Sequence, residues 1–121
     1  MAERVGIMHE LGVVFKVIDN LKEVAAENGI EKIDKVKIGL GEVSTVIPEY
    51  LQDCFKWAKR KSPLVEDCDL EIETIPAVSY CEDCGKEYPT VEFAKICPSC
   101  HSEHTYLLRG NEFVIKEIEV P

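Results

Sequence analysis

Cys81-Glu-Asp-Cys84 and Cys97-Pro-Ser-Cys100 decide how this chain is organised. The two C-x2-C pairs are separated by the segment 85–96. Each pair suits a tight turn that aims two thiolates at one point, and two such turns complete a tetrahedral shell of four sulfurs. Gly85 directly follows the second thiolate, where a left-handed backbone is often needed, and Pro98 stiffens the other turn. The competing reading, two disulfides or unrelated thiols, fits poorly with the reducing compartment argued below. Tetrahedral sulfur accepts iron as well as zinc. Zinc is favoured because nothing else in the chain suggests electron transfer, and a red iron protein would betray itself by colour. His101 and His104 stand close to the last cysteine, and either could replace a thiolate, since zinc accepts mixed ligands, but exposed histidines beside a closed four-cysteine site are the favoured reading.

Working outward, 121 residues support one ordinary domain with a small satellite. A metal-bound segment of roughly thirty residues cannot build its own core, so the ion substitutes for one. The rest of the chain, with 45% hydrophobic residues overall, suffices for a compact core. Cys54 and Cys68 stand apart from the metal-type spacing, Cys54 as a small core residue of a helix. No apolar run approaches the roughly twenty residues of a membrane span. The start, Met1-Ala-Glu-Arg-Val-Gly-Ile, is too short and polar for a signal peptide, so a cytoplasmic protein is expected. The net charge of −9 argues against nucleic acid, which needs clustered cations. The one such cluster, Lys56, Lys59, Arg60 and Lys61, closes a helix and complements its dipole.

Upstream, Leu11, Val14, Phe15, Ile18, Leu21 and Ala25 recur at helical spacing from Met8 to an Asn28-Gly29 stop. Glu31 to Val43 reads as a strand with Val36, Ile38 and Leu40 facing inward; Gly39 and Gly41 imply a close backbone approach. Pro48-Glu49 opens a second helix with Leu51, Cys54, Phe55 and Ala58 inward and Tyr50 and Trp57 flanking. Asp69 to Val78 is a second strand and Glu112 to Val120 a third, beyond a Gly110-Asn111 turn. The second and third strands flank the metal loop and are expected to pair antiparallel, with the loop as a large hairpin tip.

The fold expected is α+β: a small mixed three-stranded sheet covered by two helices, with an inserted zinc-ribbon-like module. The boundaries are 1–79 and 110–121 for a discontinuous main domain and 80–109 for the zinc domain. No nucleophile with a neighbouring base and no P-loop occurs, because Gly39-Leu-Gly41 leads into Glu-Val-Ser. The residues make no case for an enzyme. His9, beside Glu10 at a helix start, reads by itself as an exposed polar residue.

Several pieces together carry a resemblance. They are Met8-His9-Glu10-Leu11, Gly39-Leu-Gly41-Glu42-Val-Ser44, Pro48-Glu49, the C-x2-C-x12-C-P-x-C loop and Gly110-Asn-Glu112. From Met8 to Val120 the chain resembles the HypA/HybF family of nickel metallochaperones in hydrogenase maturation. The resemblance implies a nickel-binding domain, a structural Zn(2+) site at Cys81, Cys84, Cys97 and Cys100, and Ni(2+) as transient cargo. It implies delivery to the [NiFe] hydrogenase large subunit, in some members to urease, alongside a maturation GTPase, and leaves room for a homodimer. It places nickel at His9, with backbone nitrogens of Met8 and Glu10 completing a planar set that suits nickel(II). Two features differ from the family's pattern. Residues 1–7 precede Met8, so its nitrogen is an amide rather than a terminal amine, and Ile47 stands where relatives often have an acidic residue. Helix two thereby loses its usual cap, and Glu42 is the substitute candidate for orienting His9. The alternative reading is a zinc-ribbon protein-interaction adaptor without a nickel role.

Overall fold

A computed structural model describes the backbone of residues 2–121 and the side chains of residues 9–121. Helix α1 spans Ala2–Asn28 and so begins ahead of Met8, where the periodicity predicted its start. Gly12 sits inside it with no heavy atom near the place a Cβ would occupy. Gly29, at φ +65°, ends the helix, and the Ile30 N–H returns to the Ala25 carbonyl at 2.9 Å. The remaining elements are β1 (Lys35–Gly41), α2 (Pro48–Ala58), a 3-10 turn (Lys59–Lys61), β2 (Asp69–Ile75), β3 (Val78–Cys81), β4 (Glu87–Pro89), the single turn α3 (Thr90–Phe93), β5 (Thr105–Arg109) and β6 (Phe113–Glu119).

The chain divides into two compact units. The first comprises Met1–Ile38, Val46–Ile72 and Ile115–Pro121, and the second Gly39–Thr45 and Glu73–Val114. In the first unit α1 packs against α2. The buried face of α1 is Val14, Val17, Ile18, Leu21 and Ala25, so Val17 joins the stripe while Phe15, expected inside, is 41% exposed. The stripe is rotated toward Glu10, which is itself buried and takes a place along the core face. The four inward residues expected of α2, Leu51, Cys54, Phe55 and Ala58, are its buried ones.

The main sheet has the order β2-β1-β6. It is mixed. Asp69 N–H bonds to Asp34 O at 2.9 Å and Glu42 N–H to Ile75 O at 2.8 Å, so β1 and β2 advance together. Asp34 N–H to Glu119 O and Gly41 N–H to Glu112 O, both 2.8 Å, run β6 the opposite way. The expected pairing of the second and third strands is therefore corrected: they lie on either side of β1. Their charges accord with that order. Lys35 of β1 bridges Glu71 of β2 at 3.0 Å and Glu119 of β6 at 3.3 Å, and Lys37 reaches Glu117 at 3.6 Å. Side by side, the two acidic strands would oppose like charges.

The expected second strand also breaks at Pro76, which lacks an N–H, and Val78 begins a separate antiparallel sheet of order β4-β3-β5. In this second unit two sequence motifs meet. A Cβ on Gly41 would overlap the Gly110 carbonyl, and one on Gly110, at φ +114°, would overlap Ala77. Val43 N–H donates to Gly110 O at 2.8 Å, and Glu42 Oε1 accepts the Ala77 N–H at 2.8 Å. Glu112 Oε1 accepts the Gly110 N–H, which with further backbone N–H groups holds the Glu112 carboxyl below its usual range. Gly110→Ala is therefore expected to cost about 2 kcal/mol or more in chemical denaturation through overpacking and backbone strain. Gly12→Ala is expected to stabilise by about 0.5–1 kcal/mol in the same measurement.

Candidate metal centre

The two C-x2-C turns have one construction. Gly85 N–H donates to Cys81 O at 2.9 Å, and His101 N–H donates to Cys97 O at 2.8 Å. Both closing residues are left-handed, Gly85 at φ +73° and His101 at φ +63°. The glycine was legible as such in the sequence. His101 fills the equivalent place in the second turn and tolerates it better than a β-branched residue would.

These turns bring Cys81, Cys84, Cys97 and Cys100 together with all four sulfurs within 4.8 Å of one another. Cys81 Sγ lies 3.5 Å from Cys100 Sγ, and Cys84 Sγ 3.6 Å from Cys97 Sγ. A tetrahedron with zinc–sulfur bonds near 2.3 Å has sulfur–sulfur edges of about 3.8 Å, so the set fits that ion. The same separations exceed a covalent bond of about 2.05 Å, and none of the six cysteines is joined in a disulfide. Cys81 and Cys97 are buried, while Cys84 and Cys100 are exposed. Among the described residues this is the metal-type cluster, and it contains neither His101 nor His104. His104 Nδ1 instead lies 3.1 Å from Asp83 Oδ2, an oxygen that also accepts the Ser102 hydroxyl. The sequence reading missed this brace. Asp83 sits within the first turn and Ser102 just beyond the second, with no spacing signal to link them.

Backbone donors divide the thiols. N–H groups of Cys100 and then Ser99 favour the Cys97 thiolate and bring it down to about 6. At Cys100 a Ser102 N–H favours the thiolate, but hydrogen bonding with Cys81, burial and the other sulfurs prevail and push it up to about 12. Four thiolates without a cation repel one another; a divalent ion removes that repulsion. The apolar core around them is slight, consisting of Cys81, Cys97 and Tyr88, whose hydroxyl donates to Ala94 O at 2.8 Å.

His9 is exposed on α1, and Glu10 next to it is 1% exposed. Glu10 Oε2 accepts the Ile47 N–H at 3.1 Å, and Oε1 has no hydrogen-bond partner among the described residues. Helix α2 indeed has no cap from its own Ile47 side chain. The carboxylate of Glu10, on α1, takes that place. Glu42 is occupied with the Ala77 amide. The side chain of Met8 lies outside the described residues, but its backbone is helical. Within a continuous helix from Ala2, the amides of Met8, His9 and Glu10 fall beyond the first turn and belong to the i→i−4 ladder.

The family model described as "Hydrogenase/urease nickel incorporation, metallochaperone, hypA" matches residues 8–120. The chain belongs to the HypA family. It is 39% identical over 108 residues to the hydrogenase maturation factor HypA of Moorella thermoacetica, covering 89% of this chain and 95% of that one. It is 32% identical over 113 residues to HypA of Chlorobium limicola, covering 93% and 97%. The solution structure of the nickel metallochaperone HypA from Helicobacter pylori matches with a TM-score of 0.70 and 28% identity over 92% of this chain and 96% of that one. This family match agrees with the resemblance read from the sequence. None of the helices of the described residues is long and apolar enough to cross a membrane.

The four thiols are expected to take up zinc with release of protons, so zinc affinity should rise with pH and fall as acid protonates the ligands. Calorimetry in buffers of different ionisation enthalpy reads this directly. Replacing Cys81 and Cys84 with Ser should bring zinc content to near zero while the far-UV signal of α1 and α2 persists, since both helices belong to the first unit. Loss of that helical signal would show that the metal supports both units.

Proposed function

We propose that this protein is a nickel metallochaperone of hydrogenase maturation. Ni(2+) is its transient cargo at the Met8-His9-Glu10 segment, and Zn(2+) is a structural ion held by Cys81, Cys84, Cys97 and Cys100. Family membership over residues 8–120 is the observation that carries this reading. The exposure of His9 supports it, because an accessible imidazole can take and release a metal. The zinc assignment draws support from the four converging sulfurs, which leave no open position for a substrate. In this reading the protein is not an enzyme, works in the cytoplasm, and meets a maturation GTPase and the large subunit of [NiFe] hydrogenase, with urease as a further client. The nickel domain is assigned to residues 1–79 and 110–121 and the zinc domain to 80–109, although the compact unit that carries the four cysteines is larger and takes in Gly39–Thr45 and Glu73–Val114.

The helix that runs through Met8 shapes how nickel is held. A planar nitrogen set uses deprotonated amides, and those amides are engaged while the helix is closed. In the 121-residue chain the first turns must open before such a set can form. A competent state populated at roughly one part in ten weakens apparent binding about tenfold. A protein starting at Met8 has its terminal amine and its free first-turn amides side by side, with no such opening required.

The shortened protein should therefore bind nickel about tenfold more tightly or better, with a planar, nitrogen-rich spectrum. His9→Ala should abolish that species in the short protein and change the long one less. Equal affinity and equal spectra at both lengths, with the same response to His9→Ala, would rule out the terminal-amine site. No nickel binding at either length would leave the zinc-ribbon adaptor as the surviving function.

A further inference from the structure

An apolar hollow of about 200 Å³ opens on the first unit, lined among the described residues by Leu11 of α1 and by Asp53, Cys54 and Trp57 of α2. Trp57 of the lining carries a second large aromatic side chain, Phe15, beside it. Phe15 is 41% exposed and Trp57 46% exposed, yet their rings meet edge to face with centroids 6.2 Å apart. Lys61 Nζ sits 4.1 Å from the centroid of the Trp57 ring. The contact orients the indole and keeps a cation on the rim. The hollow is smaller than the roughly 300–1,000 Å³ of small-molecule sites and suits one apolar side chain.

We infer that this hollow is a docking site for an acidic amphipathic segment of a partner protein, which inserts an apolar anchor against Leu11 and Trp57. Charge complementarity identifies the occupant. In a chain of net charge −9, the one dense group of cations, Lys56 through Lys61, adjoins Trp57. Lys59 is spent on the Cys68 carbonyl at 2.9 Å, whereas Lys56, Arg60 and Lys61 are exposed. Asp53, one turn before Trp57, is the acidic group of the lining, so the occupant's carboxylates belong at the Arg60–Lys61 end. Exposed Trp beside Arg is the composition of interface hot spots. An amphipathic helix laid along a groove between two helices is a common mode of such recognition. Anionic lipid would share the taste for cations. A concave hollow on a strongly acidic protein suits a bilayer poorly.

This inference deepens the delivery reading by giving the protein a surface on which to meet its partners, and it needs no bound nickel. It is tested on the full-length, zinc-loaded, nickel-free protein, so failure here and failure of nickel binding are separate results. The probes are two synthetic amphipathic helical peptides, one with Leu on one face and Glu on the other, the second with Lys in place of Glu. The fluorescence of Trp57, the sole tryptophan, and the anisotropy of labelled peptide report binding. The Leu/Glu peptide should bind saturably, shift the Trp57 emission to the blue and weaken with salt. The Leu/Lys peptide should bind at least tenfold more weakly. Phe15→Ser, which removes the exposed ring that packs on Trp57, should weaken the Leu/Glu peptide tenfold while circular dichroism stays unchanged. Arg60→Glu with Lys61→Glu should reverse the preference between the peptides. Equal binding of both peptides, or binding indifferent to these variants, overturns the inference. So does preferential binding to phosphatidylserine vesicles, or a concentration-dependent dimer that Phe15→Ser dissolves, since each assigns the hollow to another occupant.

Discussion

Four sulfurs brought within 4.8 Å of one another set the terms for the second unit. Its own apolar core holds little besides Cys81, Cys97 and Tyr88. Val91 is 62% exposed, Ile96 49% and Tyr106 49%, so much of the unit's hydrophobic content remains on the surface. Backbone hydrogen bonding is well provided by β3 with β4 and β5, but small sheets are marginal without a packed face. A divalent ion at the thiolates would replace the missing core and remove their mutual repulsion. The two left-handed residues at Gly85 and His101 are the local consequence, since each turn must fold back tightly enough to aim a pair of sulfurs inward.

A different logic governs the first unit, where packing is ample and a buried carboxylate is the exception among the described residues. Glu10 sits at 1% exposure along the core face of α1 and accepts a hydrogen bond from Ile47 at the start of α2. It satisfies an amide that α2 does not cap with its own side chain. A buried carboxylate with one oxygen unpartnered is costly, which makes this contact a sensitive link between the Met8-His9-Glu10 segment and α2. Opening the first turns of α1 to expose amide nitrogens would disturb a residue on which the second helix leans. The segment proposed to hold nickel is thereby tied to the fold of the unit that carries it.

The convergence of the four cysteines, the two main helices, the inward face of α2 and the strands β1 and β6 were legible in the sequence, because each depends on local spacing, whereas the break at Pro76 and the short strands β3, β4 and β5 were not. Two thiolates on one turn, a 3.6-residue stripe and alternating strand residues are dictated by chain geometry over a few residues. The signature pieces from Met8 to Glu112 likewise carried the resemblance to the family that matches residues 8–120. The backbone meeting at Gly41 and Gly110 was half visible: the glycines announced a close approach but not what approached.

Tertiary structure alone decided the rest. The order β2-β1-β6 sets Lys35 between Glu71 and Glu119, a meeting of residues far apart in the chain that no local pattern encodes. Likewise, the exclusion of His101 and His104 from the sulfur cluster rests on where the two turns place their flanks. The exposed Phe15–Trp57 pair and the buried Glu10 both depend on how α1 is rotated against α2. Sequence periodicity fixes that a helix has an apolar side to within a residue or so; the partner's shape fixes which edge of that side is covered. The sequence by itself thus determined the main elements and which cysteines converge, since those are short-range matters of spacing and turn chemistry. Which strands are neighbours, and which apolar and acidic groups the packing leaves open or buried, were long-range outcomes that only the assembled chain could settle.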